Sequence, residues 1–363
     1  MGKPLTEVFS HANMANANQL KIDLYDRFSV AGIPIYYMIP LYRAWASTAA
    51  QIITSALGTG ILIYLSYSFV SYLWELVRPS VLQKYCHVQT GSWALVTGAN
   101  DGIGRAFADE LLERGFNVLL HGRNEEKLKR VQAELAAKFP RRKLDYVVAD
   151  ASSYDRPERS VVEKVENLPG GGKLTILINN VGGVNTSPQY CSLKDMRPAD
   201  IDTQINLNSR FPTHLTSALL PLLHENKPAL IINAGSAAGV FGVPYIAPYS
   251  ATKGYIFALT KALASELVAD GWEKDIEVMS LIINNTRSAG NTAEMPLFTI
   301  DAKDCAKGAL SRVGSGCVTV YPNWRHAVQG TVMALLPEKQ FMAMMGPEMK
   351  KRKLEELGKV KSL

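Results

Sequence analysis

No CxxC pair occurs among the four cysteines (Cys86, Cys191, Cys305, Cys317), which excludes a disulfide scaffold or a zinc knuckle and suits reduced thiols facing the cytosol. The six histidines form no HExxH, and no metal site is expected. There is no internal repeat and no low-complexity linker. Charge is also sparse, with a net value of only +6. Its sharpest run, Lys350 to Lys353 (KKRK) followed by Lys359 and Lys361, has neither aromatic interleaving nor a nucleic-acid motif. Solvated helix ends, or a surface beside anionic lipid, account for it better than a nucleic-acid partner.

Charge is wholly absent between Arg43 and Glu75. That run exceeds the roughly 20 residues needed to cross the ~30 Å hydrocarbon core, and Trp45 and Trp74 bracket it as interfacial anchors do. It is too long and too far from Met1 for a cleaved signal peptide. A transmembrane helix is expected over 44–74. Phe28 to Tyr42 is uncharged too, but it is short and carries Pro34 and Pro40, so an interfacial or re-entrant segment is expected there. The flanking Arg27 and Arg43 on one side, and Arg78 and Lys84 on the other, leave orientation undecided.

With 363 residues and 47% hydrophobic composition, one large α/β domain fits beside these segments. The expected division is 1–43 as an N-terminal segment, 44–74 as the membrane helix, 91–323 as a nucleotide-binding domain, and 324–363 as a helical extension with a basic tail. The fold class is α/β, a Rossmann-type doubly wound parallel sheet in a single domain. Ser92 to Thr97 reads as an apolar strand and Arg105 to Arg114 as an amphipathic helix. Between them Gly98, Gly102 and Gly104 form TGxxxGxG, which allows a tight turn, close backbone approach to a pyrophosphate, and helix–strand contact. The next strand, Asn117 to His121, ends in HGRN without the Asp or Glu that would accept from a ribose 2′-OH. Arg123 stands there instead, which favours a 2′-phosphate and so NADP(H). Strands are also expected over Leu144 to Ala149, delivering Asp150 towards the adenine, and over Leu174 to Ile178 before NNVG.

The strand Ala229 to Asn233 ends in AGSAAG, placing Ser236 at the carboxyl edge where such sheets bind ligands. Tyr249 and Lys253 of YSATK are one helical turn apart. A lysine ammonium beside a phenol favours the phenolate, so Lys253 is expected to draw the Tyr249 pKa down for proton transfer. Ser236 is suited to hold a substrate oxygen, and Asn208, in INLNSRF, to hold a water linking Lys253 to solvent.

TGxxxGIG, NNVG, Ser236, YSATK and Asn208 together resemble the short-chain dehydrogenase/reductase family over roughly Ser92 to Pro322. The membrane segment, NNVG and YSATK are most similar to the branch of endoplasmic-reticulum very-long-chain 3-oxoacyl-CoA reductases and 17β-hydroxysteroid dehydrogenases. The resemblance implies catalytic roles for Ser236, Tyr249, Lys253 and Asn208. It also implies cofactor contacts from Gly98, Asn100, Gly102, Ile103, Gly104, Arg123, Asp150, Asn180, Tyr249 and Lys253. After the strand Ile276 to Ile283 the chain departs from the family: IINNTRSAGNT has no proline, and Ser288 is the candidate for the usual Thr. The basic cluster often found next in acyl-CoA reductases is absent.

The implied activity is NADPH-dependent reduction of a ketone on a lipophilic substrate, with a 3-oxoacyl-CoA of fatty-acid elongation first. A steroid or specialised-metabolite ketone, and a non-catalytic nucleotide-binding membrane protein, are the alternatives. The implied partners are the substrate, the membrane, and further copies of the chain or enzymes of a lipid pathway. KVKSL matches the KxKxx pattern of endoplasmic-reticulum retrieval, and NADPH use sets the domain in the cytosol. Arg325 to Met345 reads as a Met-rich pair of helices broken at Pro337, packed on the domain, lining a lipid entrance or touching the membrane.

Overall fold

The structure, a computed structural model, describes residues 29–30, 33–87, 91–288, 291 and 297–361. Residues 1–28, positions 289–290 and 292–296 in and after IINNTRSAGNT, and the last two residues of KVKSL lie outside the described residues. The chain divides into two compact units, Met1–Arg78 and Pro79–Leu363.

In the first unit, Ser29–Val30 pairs antiparallel with Ile33–Pro34, and helix α1 spans Ile35–Val77. Arg43–Ser71, with a mean hydropathy of 1.5, is a candidate transmembrane helix. Its Ile52, Leu57, Ile61 and Phe69 side chains are exposed, as a lipid-facing helix requires. Helix α1 takes in 35–42 of the segment expected to be interfacial, ahead of the candidate span that begins at Arg43. Pro40 lies close enough to its start that the ring removes one backbone bond without ending it.

The second unit is built on a seven-stranded sheet: β1 Ser92–Thr97, β2 Asn117–Gly122, β3 Leu144–Val148, β4 Lys173–Asn179, β5 Ala229–Ala234, β6 Ile276–Leu281 and β7 Thr319–Val320. All pairings are parallel, in the order β7-β6-β5-β4-β1-β2-β3. Helices α2 Gly102–Glu113, α3 Glu125–Lys138 and α9 Ala302–Ser311 cover one face. Helices α4 Glu158–Glu166, α6 Phe211–Glu225 and α8 Ala247–Ala269 cover the other. Every residue of β1, β2 and β5 is buried, which is why these strands read as unbroken apolar runs and not as alternation. The order reverses between β1 and β4, and the cleft at their carboxyl ends is where such sheets take ligands. Two further helices, α10 Trp324–Leu335 and α11 Glu338–Lys361, belong to this unit.

The unit begins earlier than the nucleotide strand. A short 3₁₀ turn, Leu82–Tyr85, docks on the amino edge of the sheet, opposite the ligand edge. Ser80 Oγ donates to the Leu310 carbonyl at 2.7 Å, and Thr175 Oγ1 donates to the Tyr85 carbonyl at 2.8 Å. Tyr85 is fully buried and its hydroxyl donates to Glu277 Oε2 at 2.5 Å, while Glu277 Oε1 accepts from the Gly314 N–H at 2.6 Å. Burial and the adjacent carboxylate both hold Tyr85 as the phenol. Tyr85→Phe keeps the ring and removes the donor. It should lower stability by about 2 kcal/mol, read as the urea midpoint; an unchanged midpoint would show that the turn is not part of the folded core.

Candidate active site

Thr97 ends β1 and the chain turns through Gly98 at φ +66° into α2, whose first residue is Gly102. The helix starts before the expected Arg105 because the Asp101 carboxylate caps it, accepting from the Gly102 N–H at 2.6 Å. A Cβ on Gly104 would fall 2.1 Å from the Gly98 carbonyl oxygen, so the helix can meet the turn only with glycine there. A glycine turn that leads this closely into a helix N-terminus fits a pyrophosphate. Thr97 Oγ1 accepts from the N–H groups of Asn180 and Val181 at 2.9 and 3.0 Å, and Asn180 Nδ2 donates to the Thr97 carbonyl at 3.0 Å. The Asn180 side chain therefore braces the turn. Ile103 packs into the core, and Asn100 lies against Gly122.

At the end of β2, Arg123 Nη2 donates to Asn185 Oδ1 at 3.2 Å. Arg105 is turned away, paired with Glu134 of α3. Asp150 Oδ1 accepts from the backbone N–H and the hydroxyl of Ser152 at 3.0 and 2.7 Å.

Ser236 follows β5 and caps the short helix α7, Ala237–Phe241, its Oγ accepting from the Ala238 N–H at 3.2 Å. Helix α7 rests directly on α8, because a Cβ on Gly239 would fall 2.4 Å from the Lys253 carbonyl carbon. That close crossing brings the Ser236 hydroxyl near enough to Tyr249 to favour its ionised form. Lys253 is 5% exposed; its Nζ donates to the Ala234 carbonyl at 2.7 Å and lies 5.8 Å from the Tyr249 ring centroid. Asn208 occupies a π-helical turn, Asn206–Arg210, between α5 (Pro198–Ile205) and α6. Its Oδ1 accepts from the Gly183 N–H at 2.9 Å, and its Nδ2 donates to the carbonyls of Gly183 and Gln204, each at 2.9 Å. Both Asn208 and Lys253 close on Gly182, where a Cβ would come within 2.6 Å of Asn208 Oδ1 and 3.0 Å of Lys253 Nζ. The four residues Ser236, Tyr249, Lys253 and Asn208 are thus drawn from three parts of the chain to one edge of the sheet.

The electrostatics differ from the expectation that Lys253 lowers the Tyr249 pKa. Burial raises Tyr249, opposed only by the Ser236 hydrogen bond, and burial pushes Lys253 down to about 8. Desolvation disfavours both charged forms, and at this separation the ammonium does not reverse it. Burial thus keeps Tyr249 as the phenol.

The turn that departs from the family pattern is held by side chains. The Ala237 N–H, next to Ser236, donates to the Ile283 carbonyl at 2.9 Å. Asn284 Nδ2 donates to the His326 carbonyl at 3.2 Å and to Gln329 Oε1 at 2.8 Å. The Asn284 N–H points to His326 Nδ1 at 3.3 Å, and His326 Nε2 lies 3.3 Å from the Asn285 carbonyl oxygen. Such a ring carries its proton on Nε2, and burial keeps it neutral by holding its pKa down to about 4. Ser288 closes the segment against the glycine turn, its Cβ 3.0 Å from where a Cβ on Gly102 would stand. Gly182 and Gly239 lie inside NNVG and AGSAAG, but no motif marks His326, and nothing local shows which side chains the three meet. Only the doubled glycine of NNVGG and the small residues of AGSAAG carry a local sign of close approach.

Folded Lys253 titrates near 8 and an ordinary lysine near 10.5, so between those values the unfolded state binds more protons and stability rises with pH. Wild-type stability should therefore gain on that of Lys253→Met across this interval, by on the order of 3 kcal/mol at the alkaline limit. Denaturant unfolding of both proteins from neutral to alkaline pH checks this. A gap that does not change with pH would mean that the ammonium is not desolvated.

A family profile described as short chain dehydrogenase matches residues 92–295. A very-long-chain 3-oxoacyl-CoA reductase-like protein of Arabidopsis thaliana is 33% identical over 266 residues, 72% of this chain and 81% of that protein. A Caenorhabditis elegans protein named for steroid dehydrogenase activity is 30% identical over 290 residues, 78% of this chain and 89% of its own. A solved structure concerned with the stereoselectivity of a 7β-hydroxysteroid dehydrogenase covers 74% of this chain and 99% of its own, with a TM-score of 0.63 at 21% identity, a likeness of fold.

Proposed function

This chain belongs to the short-chain dehydrogenase family and is an oxidoreductase acting on CH–OH or C=O groups with a nicotinamide cofactor; on that premise we propose that it uses NADPH to reduce a ketone on a lipophilic substrate at a membrane. The observation that carries the reading is the convergence of Ser236, Tyr249, Lys253 and Asn208 beside the glycine cradle. Bound nicotinamide supplies the hydride. The Ser236 hydroxyl holds the substrate oxygen, and Tyr249, kept protonated by burial, gives that oxygen its proton. The phenolate left behind is stabilised by the Ser236 hydrogen bond and the Lys253 charge. Asn208 fixes the Gly183 backbone beside Lys253.

Arg123, standing at the end of β2 where a carboxylate would select NAD, supports NADPH. A 3-oxoacyl-CoA of fatty-acid elongation is the favoured substrate class, from the Arabidopsis relative; a steroid ketone is the second, from the nematode one. The candidate membrane helix Arg43–Ser71 supports a substrate met in or near the bilayer, where an apolar chain concentrates. NADPH use supports a domain that faces the cytosol, and the candidate membrane helix supports an endoplasmic-reticulum membrane. A non-catalytic nucleotide-binding protein has no need for the four assembled side chains.

Tyr249→Phe should cut turnover about a thousandfold while NADPH binding, followed by cofactor fluorescence, stays near wild type. Retention of more than a small fraction of activity would refute the proton-transfer role. Arg123→Asp should weaken NADPH binding about tenfold or more and leave NADH nearly unchanged, by titration of each cofactor. Equal losses for both would mean that Arg123 does not read the phosphate.

A further inference from the structure

Two loops flank Tyr249: residues 184–192 after β4, and residues 242–246 between α7 and α8. Val184, Ala238 and Ile246 form a small apolar cluster there, against which Tyr190, Val243 and Tyr249 itself pack. The loops are joined to each other by the Cys191 N–H, which donates to the Tyr245 carbonyl at 2.9 Å. Both are also held from outside by α11. The Glu356 carboxylate accepts the backbone N–H groups of Gln189 at 2.6 Å and Tyr190 at 2.9 Å, one on each oxygen. Lys353, one turn earlier, donates to Ser192 Oγ at 2.9 Å and lies 5.1 Å from the Tyr245 ring centroid. At the other end of α11, Phe341 is 5% exposed and its ring centroid is 5.5 Å from that of Phe241.

We propose that α11 is the outer wall of the substrate site, and that Glu356 is a positioning residue which, by holding Tyr190 against the cluster beside Tyr249, sets the fit of lipophilic substrates. This rests on the function proposed above. Two consecutive amides that point at one carboxylate have no strand or helix partner of their own, so Glu356 fixes the course of the loop at Gln189 and Tyr190. Tyr190 follows directly from that pair of bonds and reaches the apolar lining; Glu356 itself touches neither the reacting residues nor the glycine cradle. Its influence should fall on binding of the bulky apolar part of a substrate, and not on the proton or hydride step.

Glu356→Ala and Glu356→Gln in the full-length enzyme test this. In Glu356→Ala without ligand, hydrogen exchange at the Gln189 and Tyr190 amides should quicken about tenfold or more, while β4 and α8 keep their protection. KM for the lipophilic ketone that the wild type turns over should rise about tenfold, with kcat, NADPH affinity and KM for a small water-soluble ketone unchanged. Glu356→Gln, which keeps one carbonyl acceptor, should restore part of both effects. Unchanged exchange at the two amides would overturn the proposal, as would kcat losses shared by all substrates, or lowered stability with an unchanged ratio of KM values. Should Glu356→Ala fail to fold, the same exchange and KM comparison on Glu356→Gln decides. If the wild type reduces none of a panel of 3-oxoacyl-CoAs, steroids and simple ketones, the function reading fails by itself, and the exchange result still decides whether Glu356 holds the loop.

Discussion

A lysine ammonium buried beneath the sheet edge is expensive, costing several kcal/mol of lost hydration unless the fold returns hydrogen bonds to it. The Ala234 carbonyl at the end of β5 supplies one, and that bond fixes the rotation of α8 against the sheet. Once Lys253 is fixed, Tyr249 one turn before it must face the cleft, and α7 can lie on α8 only where Gly239 offers no side chain. Gly182 leaves the remaining space, and Asn208 closes it from the π-helical turn. Extra-wide turns of this kind are found at functional sites because they re-aim one side chain without ending the helix.

The same economy of polar groups runs under the site. Asn179 Nδ2 donates to Asn233 Oδ1 at 2.8 Å and to Thr216 Oγ1 at 2.9 Å, and Asn233 Nδ2 donates to Thr260 Oγ1 at 2.9 Å. These buried bonds tie β4 and β5 to α6, which follows the turn holding Asn208, and to α8, which carries Tyr249 and Lys253. On the other side, Thr97 and Asn180 tie β4 to the glycine turn. Glycine turn and Tyr249 are thus referenced to one pair of strands, as the proposed delivery of hydride and proton to a single carbonyl requires.

The core strands were legible because both of their faces are buried, so their apolar runs were continuous and their ends fell close to where Asp, Asn or Gly begins. The glycine turn and YSATK were legible because their spacing follows from backbone geometry. What could not be read was anything decided by distant contacts. The turn Leu82–Tyr85 has no periodicity, and its place in the fold comes from Glu277 and Gly314, nearly two hundred residues and more away. The Asn180 amide also braces the glycine turn through the carbonyl of Thr97, a contact that no local pattern announces. The Tyr249 expectation weighed the neighbouring charge and omitted desolvation, which only the folded environment reveals.

The turn without proline shows how far a local motif can be replaced. A proline would stiffen the chain after β6 through its fixed φ. Here the stiffening comes from outside, through the Asn284 amide and a neutral His326 that accepts on Nδ1 from the Asn284 N–H while Nε2 faces the Asn285 carbonyl. A charged imidazolium could not accept on Nδ1, so the burial that keeps the ring neutral is itself part of the brace. Because Ile283 also accepts from the amide beside Ser236, and Ser288 abuts Gly102, this brace spans the site from its serine to its glycine turn. Helix α10 therefore does for one side of the cleft what α11 does for the other: a C-terminal helix outside the doubly wound core holds an active-site loop through backbone amides and carbonyls.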